Sequence, residues 1–540
     1  MNTSSKIPPI QYFRYAILFI IFLEILSYGA YLYPLFNKIT FLVILFITLV
    51  LALEKLEYGL YVLLAELFIG SKGYLFYFEA GGISVSIRIA LFLIIMSVWL
   101  ASLVQHTNRT RIKMLITTNK LLRWYYLLFI FILWGVIWGI LRGNSFNNVF
   151  FDFNAWIYFA LIFVFFDQVK SLEQIKNMLA IFVASLITIT LKTVFLLFMF
   201  AHRVEIALPS LYRWVRTSGV GEITQMDGNF YRIFFQTQIY SLVGFFIVFA
   251  LLFFYWKSKG EVLKSLKVLR DRKITVLTIL TFLTSLTVLI SFSRSFWVGI
   301  ASGVALLLTI LKFKVKISWM AISKLAGALI ILLFLEIGIV YVLINFPKPA
   351  SQEFTSSFAS LIEERVTEQE EAAGISRINL LRPLFKEISQ HPLIGSGYGS
   401  TVTYRSSDPR VLARSKEGWY TTYAFEWGYL DIWLKIGLFG LLAYLVLLWK
   451  IFQNGWGIIR FKIQDLRFKV GSDSPSYQNL SLWSGGENEI LRNGLVVGLL
   501  VGLVALLVTN GVSPYLNHPL GIGYIMLTSV IFDVLRDDSG

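Results

Sequence analysis

At 540 residues, 57% of them hydrophobic, and with a mean hydropathy of +0.70, this chain is too apolar for a water-soluble protein. Its net charge of +16 is carried largely by Lys and Arg grouped between apolar runs, a pattern of membrane topology that gives no argument for a nucleic-acid partner. The absence of cysteine excludes disulfides and thiolate metal sites, and leaves the compartment open.

In chain order, apolar stretches at 15–33, 41–53 with its flanks, 87–104, 122–140, 274–291 and 325–345 approach the roughly 20 residues that cross a bilayer. Others centre on 57–70, 153–168, 175–200, 231–256, 296–311, 428–450, 493–509 and 519–535. The stretch 57–70 is short enough to be re-entrant. The expected fold is therefore an all-α polytopic transmembrane helix bundle of about twelve to fourteen spans. The first apolar run is too long for a cleavable signal peptide and lacks a small-residue cleavage site.

Orientation follows from the basic connections. Arg109, Arg111, Lys113 and Lys120; Lys257, Lys259, Lys264, Lys267, Arg270, Arg272 and Lys273; Lys312, Lys314 and Lys316; and Arg460, Lys462, Arg467 and Lys469 all fall on one side. If that side is the cytoplasm, both termini are cytoplasmic and the protein is a multi-pass protein of the cytoplasmic membrane. Two hydrophilic insertions then divide the chain into a bundle over 1–346, a large extracytoplasmic loop over 347–427, and a C-terminal bundle over 428–540 with a cytoplasmic connector at 451–489. The loop is expected to be partly helical, with an acidic helix over 352–371 (Glu363, Glu364, Glu368, Glu370, Glu371) and an amphipathic one over 376–390. Loops this long are usually functional. The connector, rich in Ser, Gly and Asn near 471–486, reads as flexible.

By this parity Arg213, Arg216, Arg232, Arg294 and Arg377 lie outside, opposite to the usual bias. Arg294, in Ser-Phe-Ser-Arg-Ser-Phe-Trp (291–297), sits at the junction of two spans. An arginine inside a span costs about 2.5–3.5 kcal/mol, so it should be paired or face water; the plain alternative is snorkelling to lipid headgroups. Gly299 and Gly303 permit close helix contact just beyond it and point Arg294 towards the bundle. Arg213, Arg216 and Arg232 alternate with Tyr212, Trp214, Phe230 and Tyr231, and Arg232 is expected on the next span. Guanidinium forks suit phosphate, and aromatic faces suit sugar or lipid; an interfacial aromatic belt explains the same pattern.

Gly395-Ser-Gly-Tyr-Gly399 follows a helix and lacks the lysine of a nucleotide-binding loop. His106, His202, His391 and His518 are scattered without ligand spacing, so no metal or other cofactor is expected. Gly494, Gly498 and Gly502 form a packing stripe.

The segment Ile290-Ser-Phe-Ser-Arg-Ser-Phe-Trp-Val-Gly299 resembles the opening motif of the bacterial O-antigen ligase/polymerase superfamily. Ser376-Arg377 and His391-Pro-Leu-Ile-Gly-Ser-Gly397 are similar to that family's arginine and Pro-Leu-x-Gly-x-Gly turn. Tyr429-Leu430 and Gly437-Leu-Phe-Gly440 are similar to its helix leaving the loop. The resemblance covers roughly 280–450. It implies a metal-independent membrane glycosyltransferase that takes a glycan from undecaprenyl pyrophosphate to an acceptor hydroxyl on a lipid, glycan or protein, at the outer face of the cytoplasmic membrane. In that reading Arg294 stabilises charge on the leaving pyrophosphate, with Arg213, Arg216 and Arg232 assisting. Arg377, Ser293, Gly395 and Gly397 contact pyrophosphate or glycan. Where the family's ligases carry His-Asn this chain has Glu426-Trp427, so Glu426 becomes the candidate base, its pKa expected to rise on burial. The competing reading is a transporter or flippase for a lipid-linked or anionic substrate, motivated by Glu24, Glu66, Lys192 and Glu336 in or near spans. Against it, no internal repeat stands out.

Overall fold

Only a helix satisfies all its backbone hydrogen bonds within one segment, so long apolar runs without interior breakers cross a bilayer as helices. The computed structural model describes residues 9–80, 83–104, 119–219, 221–226, 229–258, 271–347, 372–415, 417–468 and 486–537. Among the described residues, 13 helices are long and apolar enough to span a membrane, which makes the protein an all-α polytopic bundle. The expected acidic helix at 352–371, most of the 471–486 connector and the basic stretches 109–113 and 259–270 lie outside the described residues.

The order is α1 (Pro9–Leu32), α2 (Pro34–Glu54), α3 (Leu56–Ile69), a hairpin of β1 (Tyr77–Ala80) and β2 (Ile83–Ser86), α4 (Ile87–Val104) and α5 (Leu122–Leu141). One span combines α6 (Phe146–Trp156) and α7 (Leu161–Gln168); α8 (Leu172–Ala201) follows. After the short α9 (Leu208–Ser218) and a hairpin of β3 (Glu222–Gln225) and β4 (Tyr231–Phe234) come α10 (Ile239–Ser258), α11 (Arg272–Ser291), α12 (Arg294–Thr309) and α13 (Trp319–Asn345). The large loop holds α14 (Ala372–Gln390) and a hairpin of β5 (Val402–Arg405) and β6 (Trp419–Thr422). The chain closes with α15 (Gly428–Phe468), α16 (Glu487–Thr509) and α17 (Pro519–Asp537).

The short α3 runs back along α2. Lys55 breaks the helix in an extended conformation (φ −153°), and after α3 the first hairpin returns Tyr77 to Asn37 near the start of α2, with Asn37 Nδ2 donating to Tyr77 O at 2.8 Å. Fourteen residues rise about 21 Å, and nearly all of α3 is buried, so it passes through the bundle instead of looping back. Its buried Glu66 pairs with Arg88 of α4 at 2.9 Å.

Close helix contact depends on small residues. A side-chain atom on Gly498 would stand 2.5 Å from the Ile247 Cα of α10, and one on Gly299 of α12 would stand 2.4 Å from Thr509 of α16. These contacts press α16 against α10 and α12, at the centre of the core. At the opposite end from the β3–β4 hairpin, Lys273 bonds Glu487, Lys176 reaches Asn488 at 2.9 Å, and Lys314 lies over Trp456 at 4.7 Å. Among the described residues, these ends of the basic connections thus gather at one end of the bundle.

Candidate active site

Local sequence sets the position of each arginine. The run Thr-Val-Leu-Ile-Ser carries α11 to Ser291, where Phe292 turns left-handed (φ 45°, ψ 37°) and buries its ring against Phe230 and Trp297, centroids 5.0 and 5.5 Å away. Ser293 caps the new helix in an extended conformation, and its Oγ lies 3.0 Å from that of Ser295. Ser293, Arg294 and Ser295 therefore stand at the first turn of α12, where helical N–H groups and the helix dipole favour an anion. Arg294 does face the bundle: all three residues line a cavity of ≈ 660 Å³.

The cavity collects residues from four connections between spanning helices. Arg216 comes from α9, whose apolar face buries Leu211, Trp214 and Val215. Arg232 comes from β4, not from the following helix as the hydropathy suggested. Tyr-Arg-Ile-Phe alternates with period two and pairs with Glu222–Gln225, Thr224 opposite Arg232. Arg377 comes from α14, Glu426 from the segment entering α15, and Tyr515 and His518 from the turn between α16 and α17.

The charges are interlocked. Glu222 lies 3.4 Å from Arg216 Nη1 and 3.4 Å from Arg232 Nη1, one carboxylate oxygen to each. Arg232 Nε also donates to Ser291 O at 3.0 Å, the last residue of α11, and its guanidinium rests 5.1 Å above Phe234. Arg377 Nε donates to the Glu426 carboxylate. That carboxylate side chain is 51% exposed, so the burial expected for it is not found. Across the cavity, burial and the charges of Arg88 and Lys72 hold the His518 imidazole well below its usual pKa.

Three expected site residues sit elsewhere. Arg213 is exposed on α9 and does not line the cavity. Gly395 and Gly397 are packing positions. At Gly437 (φ 74°, ψ 176°) α15 breaks, and the Gly-rich turn fills the gap: Ser396 N donates to Leu434 O at 2.6 Å, Gly397 N to Lys435 O at 3.0 Å, and Leu438 N to Pro392 O at 2.9 Å. A side chain on Gly395 would meet Gly437 N at 2.5 Å, and one on Gly397 would meet Gly139 N at 2.3 Å. The turn is thus sewn to α15 and α5, with Tyr398 N donating to Gly135 O at 2.9 Å.

Beneath the turn lies a cluster that no motif announced. Lys435 Nζ is 2.6 Å from Asp152 and 2.8 Å from Asp431, all three side chains being nearly inaccessible. Asp152 accepts from Gly399 N at 2.8 Å, and Asn517 donates to Asp431, so the cluster ties the Gly-rich turn to the α16–α17 turn.

The acidic residues that would have marked an ion path do not converge. Glu24 pairs with Lys192 at 2.8 Å, Glu66 with Arg88, and Glu336 accepts from Ser285, each between different helices. Among the described residues no group of three or more His, Asp or Glu side chains is disposed to hold a metal.

Residues 279–445 match the model of the O-antigen ligase family. The span includes Arg294, Arg377, the Gly-rich turn, Glu426 and the Gly437 break; Arg216, Glu222, Arg232 and His518 fall outside it. No curated protein matches the chain.

Proposed function

From an O-antigen ligase match over residues 279–445, we propose that this protein is a membrane glycosyltransferase of the ligase/polymerase type. The proposed donor is a glycan on undecaprenyl pyrophosphate, and the acceptor a hydroxyl of a lipid, glycan or protein. One observation carries the reading: Arg216, Arg232, Arg294 and Arg377, the first turn of α12 and the Glu426 carboxylate open on a single cavity.

The chemistry is a direct displacement. The acceptor oxygen attacks the anomeric carbon, the bond from that carbon to the pyrophosphate oxygen breaks, and its electron pair leaves with the pyrophosphate. Configuration inverts. Arg294 and the N–H groups beside it stabilise the charge that grows on the leaving group, an effect strongest in a fixed, partly dehydrated site. Arg216 and Arg232 exchange Glu222 for phosphate oxygens. The acceptor proton passes to Glu426, which first separates from Arg377. None of these steps calls on a metal.

The cavity end of the bundle is proposed to face outside the cytoplasmic membrane, with both termini inside. Support comes from the basic connections gathered at the other end. Because the chain has no cysteine, orientation can be read by labelling single substitutions. Ser389→Cys should react with an impermeant thiol reagent on intact cells, and Asn488→Cys only after permeabilisation. The opposite result would overturn the orientation. Reconstitution with a prenyl-pyrophosphate oligosaccharide and candidate acceptors tests the activity itself. Release of prenyl pyrophosphate matched by glycosylated acceptor is expected, and its absence with every acceptor class would reject the reading.

A further inference from the structure

The α16–α17 turn contributes a residue to the cavity that lies outside the matched segment. We infer that His518 is a neutral hydrogen-bond donor to the pyrophosphate, its Nε2–H directed to a phosphate oxygen, and that it is not a base. This rests on the cavity binding a prenyl pyrophosphate, as proposed above.

The argument starts from the tautomer. His518 precedes Pro519, the first residue of α17, and its Nδ1 accepts the Leu520 N–H at 3.3 Å. A ring nitrogen that accepts a hydrogen bond carries no proton, so the proton of the neutral ring is on Nε2. The ring borders the same cavity as Arg232, Ser293 and Arg294. Charge opposes protonation from two sides: the N-terminus of α17 is the positive end of a 19-residue helix, and Arg88 and Lys72 act on the ring from α4 and the segment after α3. The other charged groups lining the cavity near it include Arg232, Arg294, Glu222 and Glu426, the two carboxylates being engaged with arginines.

The donor is also held still. Asn510 Oδ1 accepts from Tyr515 N and Leu516 N, both at 2.9 Å. Tyr444 and Tyr240 hydroxyls donate to Leu516 O and Leu520 O, both at 2.8 Å. Asn517, the neighbour of His518, is fixed by Asp431 of the buried cluster. A donor placed by this many bonds loses little freedom when an anion arrives, which is the condition for stabilising charge that develops in the reaction.

The test compares His518→Leu, which keeps bulk without a donor, with His518→Gln, which keeps an N–H donor and an acceptor for Leu520. Binding of farnesyl pyrophosphate to the purified chain in detergent and the rate of glycan transfer are both read, with folded yield monitored by size exclusion. We expect Leu to weaken farnesyl pyrophosphate binding about tenfold and slow transfer about 100-fold, with Gln recovering at least a tenth of the wild-type rate. A wild-type pH profile with no inflection from His518 is also expected. Equal loss in folded Gln and Leu variants, or unchanged farnesyl pyrophosphate binding in Leu, would overturn the inference while the cavity reading stands. Failure of the wild-type chain to bind farnesyl pyrophosphate would remove both.

Discussion

Arg377 Nε donates to the Glu426 carboxylate, linking residues 49 positions apart that both line the cavity. The ion pair occupies this carboxylate, so Glu426 can receive an acceptor proton only once Arg377 is drawn elsewhere. In the proposed reaction donor binding would supply that pull, because pyrophosphate would compete for the guanidinium. Glu426→Gln should therefore lower the transfer rate by about 10²–10⁴-fold while donor affinity changes little. Arg377→Ala should weaken donor binding instead. Comparison of kcat with donor KM for the two variants checks this, and a loss confined to KM in Glu426→Gln would place the base elsewhere.

Arg294 lines the cavity at the first turn of α12, where the proposed leaving group would be held. Arg294→Ala is expected to lower transfer by about 10²–10³-fold with normal folded yield. Arg294→Lys should restore part of the rate, since the point charge remains but the bidentate fork is lost. Normal product from the alanine variant would remove the central role assigned to this side chain.

Gly437 has a different kind of importance. Its φ of 74° disfavours any L side chain, and a Cβ there would meet Leu393 O at 2.3 Å. Gly437→Ala should lower stability by about 1–3 kcal/mol, because φ 74° with ψ 176° is a conformation essentially confined to glycine, with a further cost from the contact. A reduced thermal midpoint in detergent is the expected measurement. A catalytic defect with an unchanged midpoint would contradict the packing role given to the Gly-rich turn.

The buried cluster predicts a large asymmetry. Lys435→Met leaves Asp152 and Asp431 without their cation and should destabilise by about 3–5 kcal/mol. Adding Asp152→Asn and Asp431→Asn to it should recover much of that loss. Thermal unfolding of the single and triple variants tests the point, and a neutral Lys435→Met would show the cluster to be dispensable.

His518 gives a pH dependence with a defined sign. Its folded pKa lies below the unfolded value of about 6.5. Above that value both states are neutral and His518 makes no difference to stability. As pH falls below it the unfolded chain takes up a proton that the folded chain resists, so stability is lost. The wild type should lose more thermal stability between pH 7 and 5 than His518→Gln. Parallel curves would contradict the lowered pKa.

Hydropathy was enough to read the membrane class and nearly every span, because burial in lipid demands long uniform runs and little else imitates them. It failed where short strands adjoin such runs. Tyr231–Phe234 merges by composition with the helix beginning at Ile239, and only its pairing with Glu222–Gln225 separates them. Arg294 and Arg377 were visible through motifs of local spacing. Glu222, His518 and the Asp152–Lys435–Asp431 cluster were not, since each gains its meaning from partners distant in the chain. The family resemblance implies ligand contacts at Gly395 and Gly397, whereas their backbone packs against Gly437 and Gly139, partners that local spacing does not reveal.

If the cavity takes a pyrophosphate as proposed, Glu222, clasped between Arg216 and Arg232, is a tethered placeholder for the substrate's phosphates. A monovalent anion must outbid a carboxylate that is always at hand, and gains nothing on diffusing in. A diphosphate offers each guanidinium its own phosphoryl group and can displace the resident. After transfer the same carboxylate would swing back as the spent carrier leaves, so that on this reading one side chain would both set a valence threshold for entry and help to empty the site.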